Sequence, residues 1–307
     1  MAEQKIDTQS WMLLLVLSVI WGGSFMFIGV AVKELPALLI VLARVGIAAA
    51  ILIPVHLVVQ GKLPRDAKTW LACGGMSIMN NVIPFTAISW GQHHITGGLA
   101  SVINATTPMF AALFMALSGL EGITPRKAIA LGLGLVGVLV LKGGDFGDLG
   151  AQTLGILSVV LASACYGLST PWSKVRLTGI PPLTTATLQL TMSSIVMAAI
   201  VLLFAEPAQY AAASSKTWIS LVLLAAVSTS IAYLIFFRII ARAGPSFVSL
   251  VTMVIPVSAI LMGYVVLNEL LTINEVIGAL IIGLALVIID GRALRYIGIM
   301  GTKSRPR

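Results

Sequence analysis

Apolar runs about as long as a bilayer is thick recur along the chain, separated by short polar stretches. They occupy residues 11–32, 38–59, 70–90, 97–117, 128–141, 154–175, 183–204, 218–237, 246–267 and 276–289. Most approach the ~20 apolar residues that a helix needs to cross the hydrocarbon core. The fifth and tenth are short unless their helices begin at Thr124-Pro125 and Thr272, residues suited to a helix start. The pattern predicts an all-α membrane protein with ten transmembrane helices. The first run is longer than a signal-peptide core and shows no small-residue cleavage site, so it is expected to remain as a helix.

The runs fall into two related sets. A shift of 148 residues lays Thr69 and Trp70 on Thr217 and Trp218, Pro108 on Pro256, Ala111 on Ala259, Glu121 on Glu269 and Thr124 on Thr272. A shift of 145 lays Trp21 and Gly22 on Tyr166 and Gly167, Ser24 on Ser169 and Pro36 on Pro181. Each set holds five spans, and an odd number forces the second copy to insert upside down. The expected organisation is a first five-helix repeat over 11–141, a second, inverted one over 154–290, and a basic tail over 291–307. The connection at 142–153 is the seam. Alternating access is expected to proceed by rocking of two inverted bundles around a central cavity.

Composition agrees with a lipid solvent: 58% of residues are hydrophobic, 10% are charged, and the mean hydropathy is +1.04. A net charge of +8 raises the question of nucleic acid. The distribution answers it. With the N-terminus inside, 15 Lys and Arg residues lie in internal segments and only Lys33, Lys142 and Lys216 in external ones. That asymmetry predicts both termini in the cytoplasm and leaves no nucleic-acid partner. The internal set includes Lys5 and, in the tail, Arg292, Arg295, Lys303, Arg305 and Arg307, which are expected to rest on anionic lipid. Cys73 and Cys165 lie within apolar runs and read as inert thiols.

Polar side chains in hydrocarbon are costly, so their positions are informative. The runs at 128–141 and 276–289 have none. Their helices are expected at the periphery, packing through Ala128 and Gly132, and Ala279 and Gly283. Elsewhere polar residues fall at repeat-equivalent places: Ser24 with Ser169, Arg44 with Gln189, Asn80 and Asn81 with Ser228 and Thr229, and Asn104 with Thr252. They predict a polar belt around a two-fold axis in the membrane plane. Two accounts stay open for each: helix-to-helix hydrogen bonding, or contact with cargo. Arg44, about 12 Å from its helix start at 1.5 Å per residue, either receives a carboxylate or ties its helix to backbone carbonyls. Trp21, beside Gly22 and Gly23, and Tyr166 are expected to line the cavity, with Phe85 and Tyr233 near the belt. The candidate substrate-binding set is Trp21, Ser24, Arg44, Asn80, Asn81, Phe85, Asn104, Tyr166, Gln189 and Tyr233.

Other features have blander readings. Trp90 and Trp172 suit interfacial anchoring, and His93 and His94 an exposed loop. Glu121 and Glu269 are expected to satisfy amides of the helices that follow them, the rival reading being proton carriage. Pro84, Pro108, Pro171 and Pro256 supply kinks.

Trp21-Gly22-Gly23-Ser24-Phe25, Pro36 followed by Arg44 and Ala48, and the twice-repeated Pro…Glu-x-x-Thr leading into a glycine-rich helix resemble the EamA family of the drug/metabolite transporter superfamily. The likeness covers residues 11–290. Within that family the chain looks most like bacterial aromatic amino-acid and paraquat exporters. The resemblance implies a ten-helix inner-membrane exporter with a central cavity, no cofactor, and an amino acid or related metabolite as cargo, acting as a monomer or homodimer. Rival readings are a lipophilic-cation or nucleotide-sugar-like carrier and, more remotely, an intramembrane enzyme. All eleven acidic residues lie in loops, caps or the terminal segment. That argues against cation/proton antiport, and Arg44 alone is thin for a phosphate. An enzyme lacks an acid, base or histidine at depth, and no metal site is expected.

Overall fold

A computed structural model of the protein describes residues 7–143 and 150–291. Lys5, the basic tail and most of the seam lie outside the described residues. Within them the chain is helical with no strand. The principal helices are α1 (Thr8–Ala31), α2 (Ala37–Val59), α3 (Ala67–Gly91), α4 (Gly97–Leu117), α5 (Pro125–Leu141), α6 (Ala151–Arg176), α7 (Pro182–Phe204), α8 (Ser215–Ala243), α9 (Val251–Leu267) and α10 (Ile273–Asp290). Eight are long and apolar enough to cross a membrane; α5 and α9 have 17 residues each.

Local chemistry sets the helix starts. Asp7 accepts the Ser10 amide at 3.0 Å to open α1, and Thr96 accepts the Leu99 amide at 3.2 Å to open α4. Thr124 accepts the Lys127 amide at 3.3 Å with Pro125 at the first helical position. Thr272 and Glu275 form a complete capping box at the head of α10. Each cap satisfies amides that the first turn leaves without a partner. Glu121 and Glu269 do something else. Glu121 pairs with Lys127 and Lys174, at 3.0 and 3.4 Å. Glu269 reaches away from α10 to accept the Gly98 amide of α4 at 3.4 Å.

The two halves are interlaced. α1 packs on α9 and α8, α4 and α3 pack on α6, α2 packs on α7, and α5 on α10. The heaviest packing runs between the halves, each five-helix repeat resting chiefly on the other. The contacts are closest at glycine. A Cβ on Gly22 of α1 would lie 2.1 Å from Ser258 Oγ of α9. One on Gly167 of α6 would lie 2.5 Å from Phe110 Cβ of α4. Gly22 therefore admits a neighbouring helix, not cargo. At the α5–α10 seam the close pair is Gly137 and Gly278, each facing the other's carbonyl. The expected Gly132 and Gly283 meet nothing within 4 Å.

Trp172, expected at the interface, is held between helices. Its indole donates to the Ala72 carbonyl at 2.9 Å and fills the space left by Gly75.

Candidate functional site

Two helices widen to π turns where they cross the middle of the molecule. On α3 the turn covers Ile78–Val82. Pro84 has no amide hydrogen for the Asn80 carbonyl, so the regular ladder cannot continue there. On α8 the turn covers Ala226–Ile231, without a proline. There the hydroxyls of Thr229 and Ser230 donate to carbonyls five residues back, Leu224 at 2.9 Å and Ala225 at 3.1 Å. The turns begin at Ile78 and Ala226, one repeat spacing apart. Such turns re-aim side chains and recur at functional sites.

The polar residues they carry converge. Tyr233, two residues past the second turn, is the hub. Its hydroxyl accepts from Gln189 Nε2 at 3.1 Å and from Asn80 Nδ2 at 3.4 Å, and donates to Asn81 Oδ1 at 3.3 Å. Asn81 also donates to Ser193 Oγ at 3.0 Å and is fully buried. Its amide is thus spent within the protein. Asn80 is half-buried, and its Oδ1 accepts from the Ser169 hydroxyl at 3.5 Å, a longer bond than those of Asn81. Gln189 is 3% exposed, and its Oε1 has no partner.

Arg44 lies against this cluster. It is 7% exposed, its Nε donates to Thr229 Oγ1 at 3.1 Å, and its guanidinium sits 3.5 Å from the centre of the Phe85 ring. The phenols of Tyr166 and Tyr233 are within electrostatic range. No carboxylate forms an ion pair with Arg44 among the described residues. The cation–π contact stabilises the charge in part, and the positive charge is otherwise uncompensated.

The remaining candidates divide. Trp21 stands at 5.5 Å from Phe236, ring to ring, half-buried. Ser24 and Ser169 turn back onto their own helices, donating to the Trp21 and Tyr166 carbonyls at 2.5 and 2.7 Å. Ser24 is therefore a backbone partner. Asn104 ends the first segment of α4, where Pro108 leaves its carbonyl free and Thr107 takes it at 2.7 Å. Its side-chain Oδ1 is buried without a partner. Thr229, expected in the polar belt but not in the substrate-binding set, touches these residues, as do Ser193 and Phe236, which the sequence did not single out. Ser193 follows Gln189 by one helical turn, a spacing that places both on one face.

Two hollows open at the ends of the molecule. One, of about 490 Å³, is lined by His56, Gln60, Lys62, Asp66, Thr69 and Thr184 among others. His56 is 1% exposed with Nδ1 unpartnered, a buried histidine in the last turn of α2 that the sequence reading passed over. The other, of about 460 Å³, lies at the opposite ends of the helices and includes Gln92 and Glu269. Cys73 is buried and Cys165 half-buried, both free thiols.

A family model for EamA-like transporters matches residues 9–142 and again 153–290. The chain belongs to the EamA-like transporter family. It is a multipass membrane transporter. It is 24% identical over 266 residues to the uncharacterized transporter YoaV of Bacillus subtilis, covering 86% of this chain and 91% of that one. It is 24% identical over 279 residues to the uncharacterized inner membrane transporter YedA of Escherichia coli K12, covering 90% and 89%. An uncharacterized transporter of Archaeoglobus fulgidus is 25% identical over 285 residues, covering 92% and 98%. A solved protein crystal structure superposes with a TM-score of 0.65 at 18% identity, covering 95% of this chain and 99% of that one. That likeness carries the fold.

Proposed function

We propose that this transporter exports amino acids or related small zwitterionic metabolites across the inner membrane by alternating access. The observation that carries the reading is the buried, uncompensated Arg44 beside a network whose Gln189 Oε1 lacks a donor. A guanidinium receives a carboxylate in a forked pair, and an amide oxygen receives an ammonium. A zwitterion supplies both groups. Phe85, Trp21 and Phe236 offer apolar surface for a side chain.

The reading includes an inverted ten-helix repeat, both termini in the cytoplasm, and a cavity centred on the two π turns. Its support is the repeat-matched placement of those turns and the reciprocal packing of α1 on α9 and α6 on α4. The moving bodies are then groups of helices drawn from both halves, α3 with α4 and α6 against α8 with α9 and α1.

Counterflow of labelled amino acids into proteoliposomes holding the purified protein tests this. Uptake is expected for at least one neutral amino acid and is expected to fall at least about tenfold in Arg44→Gln, the loss of one charge-assisted bond of ~1.5–3 kcal/mol. Transport of lipophilic cations with no amino-acid counterflow would overturn the reading.

A further inference from the structure

The hollow at the Glu269 end is built, and nothing in the central site uses it. Its floor is Gln92, 6% exposed, with both Oε1 and Nε2 buried and unpartnered. An amide left so has lost its water with nothing to offset the loss. Glycines make the niche. A Cβ on Gly29 would meet Leu267 Cδ1 first, at 2.8 Å, and would stand 3.6 Å from Gln92 Oε1 and 3.7 Å from Glu269 Oε1, so the carboxamide and carboxylate approach the same side of that residue. A Cβ on Gly97 would stand 3.3 Å from Gln92 Oε1. Glu269 is seated by the chain reversal at Asn268, whose φ is 57°, and by the Gly98 amide on Oε2, which leaves Oε1 for a ligand.

The repeat sharpens the contrast. Glu121, the counterpart of Glu269, is neutralised by Lys127 and Lys174. Glu269 forms no ion pair among the described residues. Glu269 is also spared from helix capping, because Glu275 closes the capping box of α10. Across the rim stands Lys33, exposed. The hollow, which Glu275, His93 and His94 also line, therefore holds carboxylates and an amide oxygen for a cation, and an amide donor and an ammonium for an anion. Its volume, about 460 Å³, admits a small solute.

We infer that this hollow is a second binding subsite, taking a small zwitterion with its ammonium on Glu269 Oε1 and Gln92 Oε1 and its carboxylate toward Gln92 Nε2 and Lys33. The inference rests on the reading of the cargo as an amino acid. The subsite would hold cargo at one mouth of the pathway, separate from Arg44.

Gln152 lines the hollow and is exposed, so it serves as a reporter. In a full-length Cys73→Ser, Cys165→Ser background, Gln152→Cys is labelled with a water-soluble maleimide in the presence of glycine, L-leucine or L-phenylalanine. A zwitterion at ten times its dissociation constant is expected to slow labelling about tenfold by mass action. Methylammonium or acetate alone should give no such protection. Glu269→Gln and Gln92→Leu should each abolish it, whereas Arg44→Lys should leave it in place. Labelling that no amino acid slows, in a protein that still performs amino-acid counterflow, overturns the subsite alone. Protection that survives both vestibule substitutions, that methylammonium matches, or that Arg44→Lys removes also overturns it. Absence of both protection and counterflow overturns the cargo reading and the subsite with it.

Discussion

Arg44 on α2 and Thr229 on α8 are joined at 3.1 Å, and the same threonine hydroxyl donates its hydrogen to the Leu224 carbonyl at 2.9 Å. One oxygen thus closes a widened helical turn and seats a buried cation. Serine can do both and valine neither. Thr229→Val should lower stability by ~1–3 kcal/mol, the cost of buried groups left without partners, and Thr229→Ser should recover most of it. Thermal unfolding of the purified variants in detergent measures this. A valine variant as stable as the parent would refute the account.

Gly22→Ala should destabilise by ~1–3 kcal/mol, because the new methyl meets Ser258 Oγ and the Ala259 amide of α9. Gly132→Ala and Gly283→Ala have open space and should be neutral or stabilising by up to about 1 kcal/mol through helix propensity. Parallel thermal melts distinguish the two classes. Equal effects at Gly22 and Gly132 would contradict the packing described.

The adjacent asparagines should separate by phenotype. Asn81, fully buried and bonded to Ser193 and Tyr233, should on replacement by alanine cost ~1–3 kcal/mol and reduce transport of every substrate alike. Asn80→Ala should leave stability nearly unchanged and alter the ratio of transport between aromatic and small aliphatic amino acids. Counterflow rates for paired substrates, read beside melting temperatures, give the answer.

Glu121 titrates outside the membrane-spanning segments. The hydrogen bond and charge of Lys127, with Lys174 behind it, hold its carboxyl below the ordinary value of 4.5. A lowered folded-state value means stability that is fully present above 4.5 and lost as pH falls through the folded value. The effect is small, ~0.2–1 kcal/mol, because both lysine pairs are partly exposed. Melting temperature should therefore decline slightly below about pH 4.5, and Glu121→Gln should remove that part of the decline. A variant whose acid profile is unchanged would show the pairs to be inert.

For orientation, Glu3→Cys and Ser304→Cys should react with an impermeant maleimide only after cells are permeabilised, as the distribution of Lys and Arg predicts. Labelling at either position in intact cells would reverse the topology.

Much of the helical layout could be read directly from the chain, because a span of apolar residues has few alternatives in lipid. Thr124 and Thr272 were readable as helix starts because a capping hydroxyl acts within one turn. Position in the repeat singled out Arg44, Gln189, Asn80 and Asn81, while Tyr233, on which the two asparagines and Gln189 meet, was named only as an aromatic near that belt. What escaped was tertiary. Whether Gly22 faces cargo or Ala259 depends on which helix lies beside it. Whether Asn81 is spent or available depends on Ser193, 112 residues away. The π turn of α8 has no proline to announce it, and Trp172 looks like an interfacial residue until Gly75 is seen to receive it.

The interlacing of the halves reaches back to synthesis on the ribosome. When α5 has emerged, α1 still lacks α9, α2 lacks α7, and α5 lacks α10. The first five helices must wait in the membrane with their grooved, glycine-lined faces covered by lipid or by a chaperone. Joining both halves in one chain keeps the later partners tethered to the earlier helices, at an effective concentration on the order of millimolar.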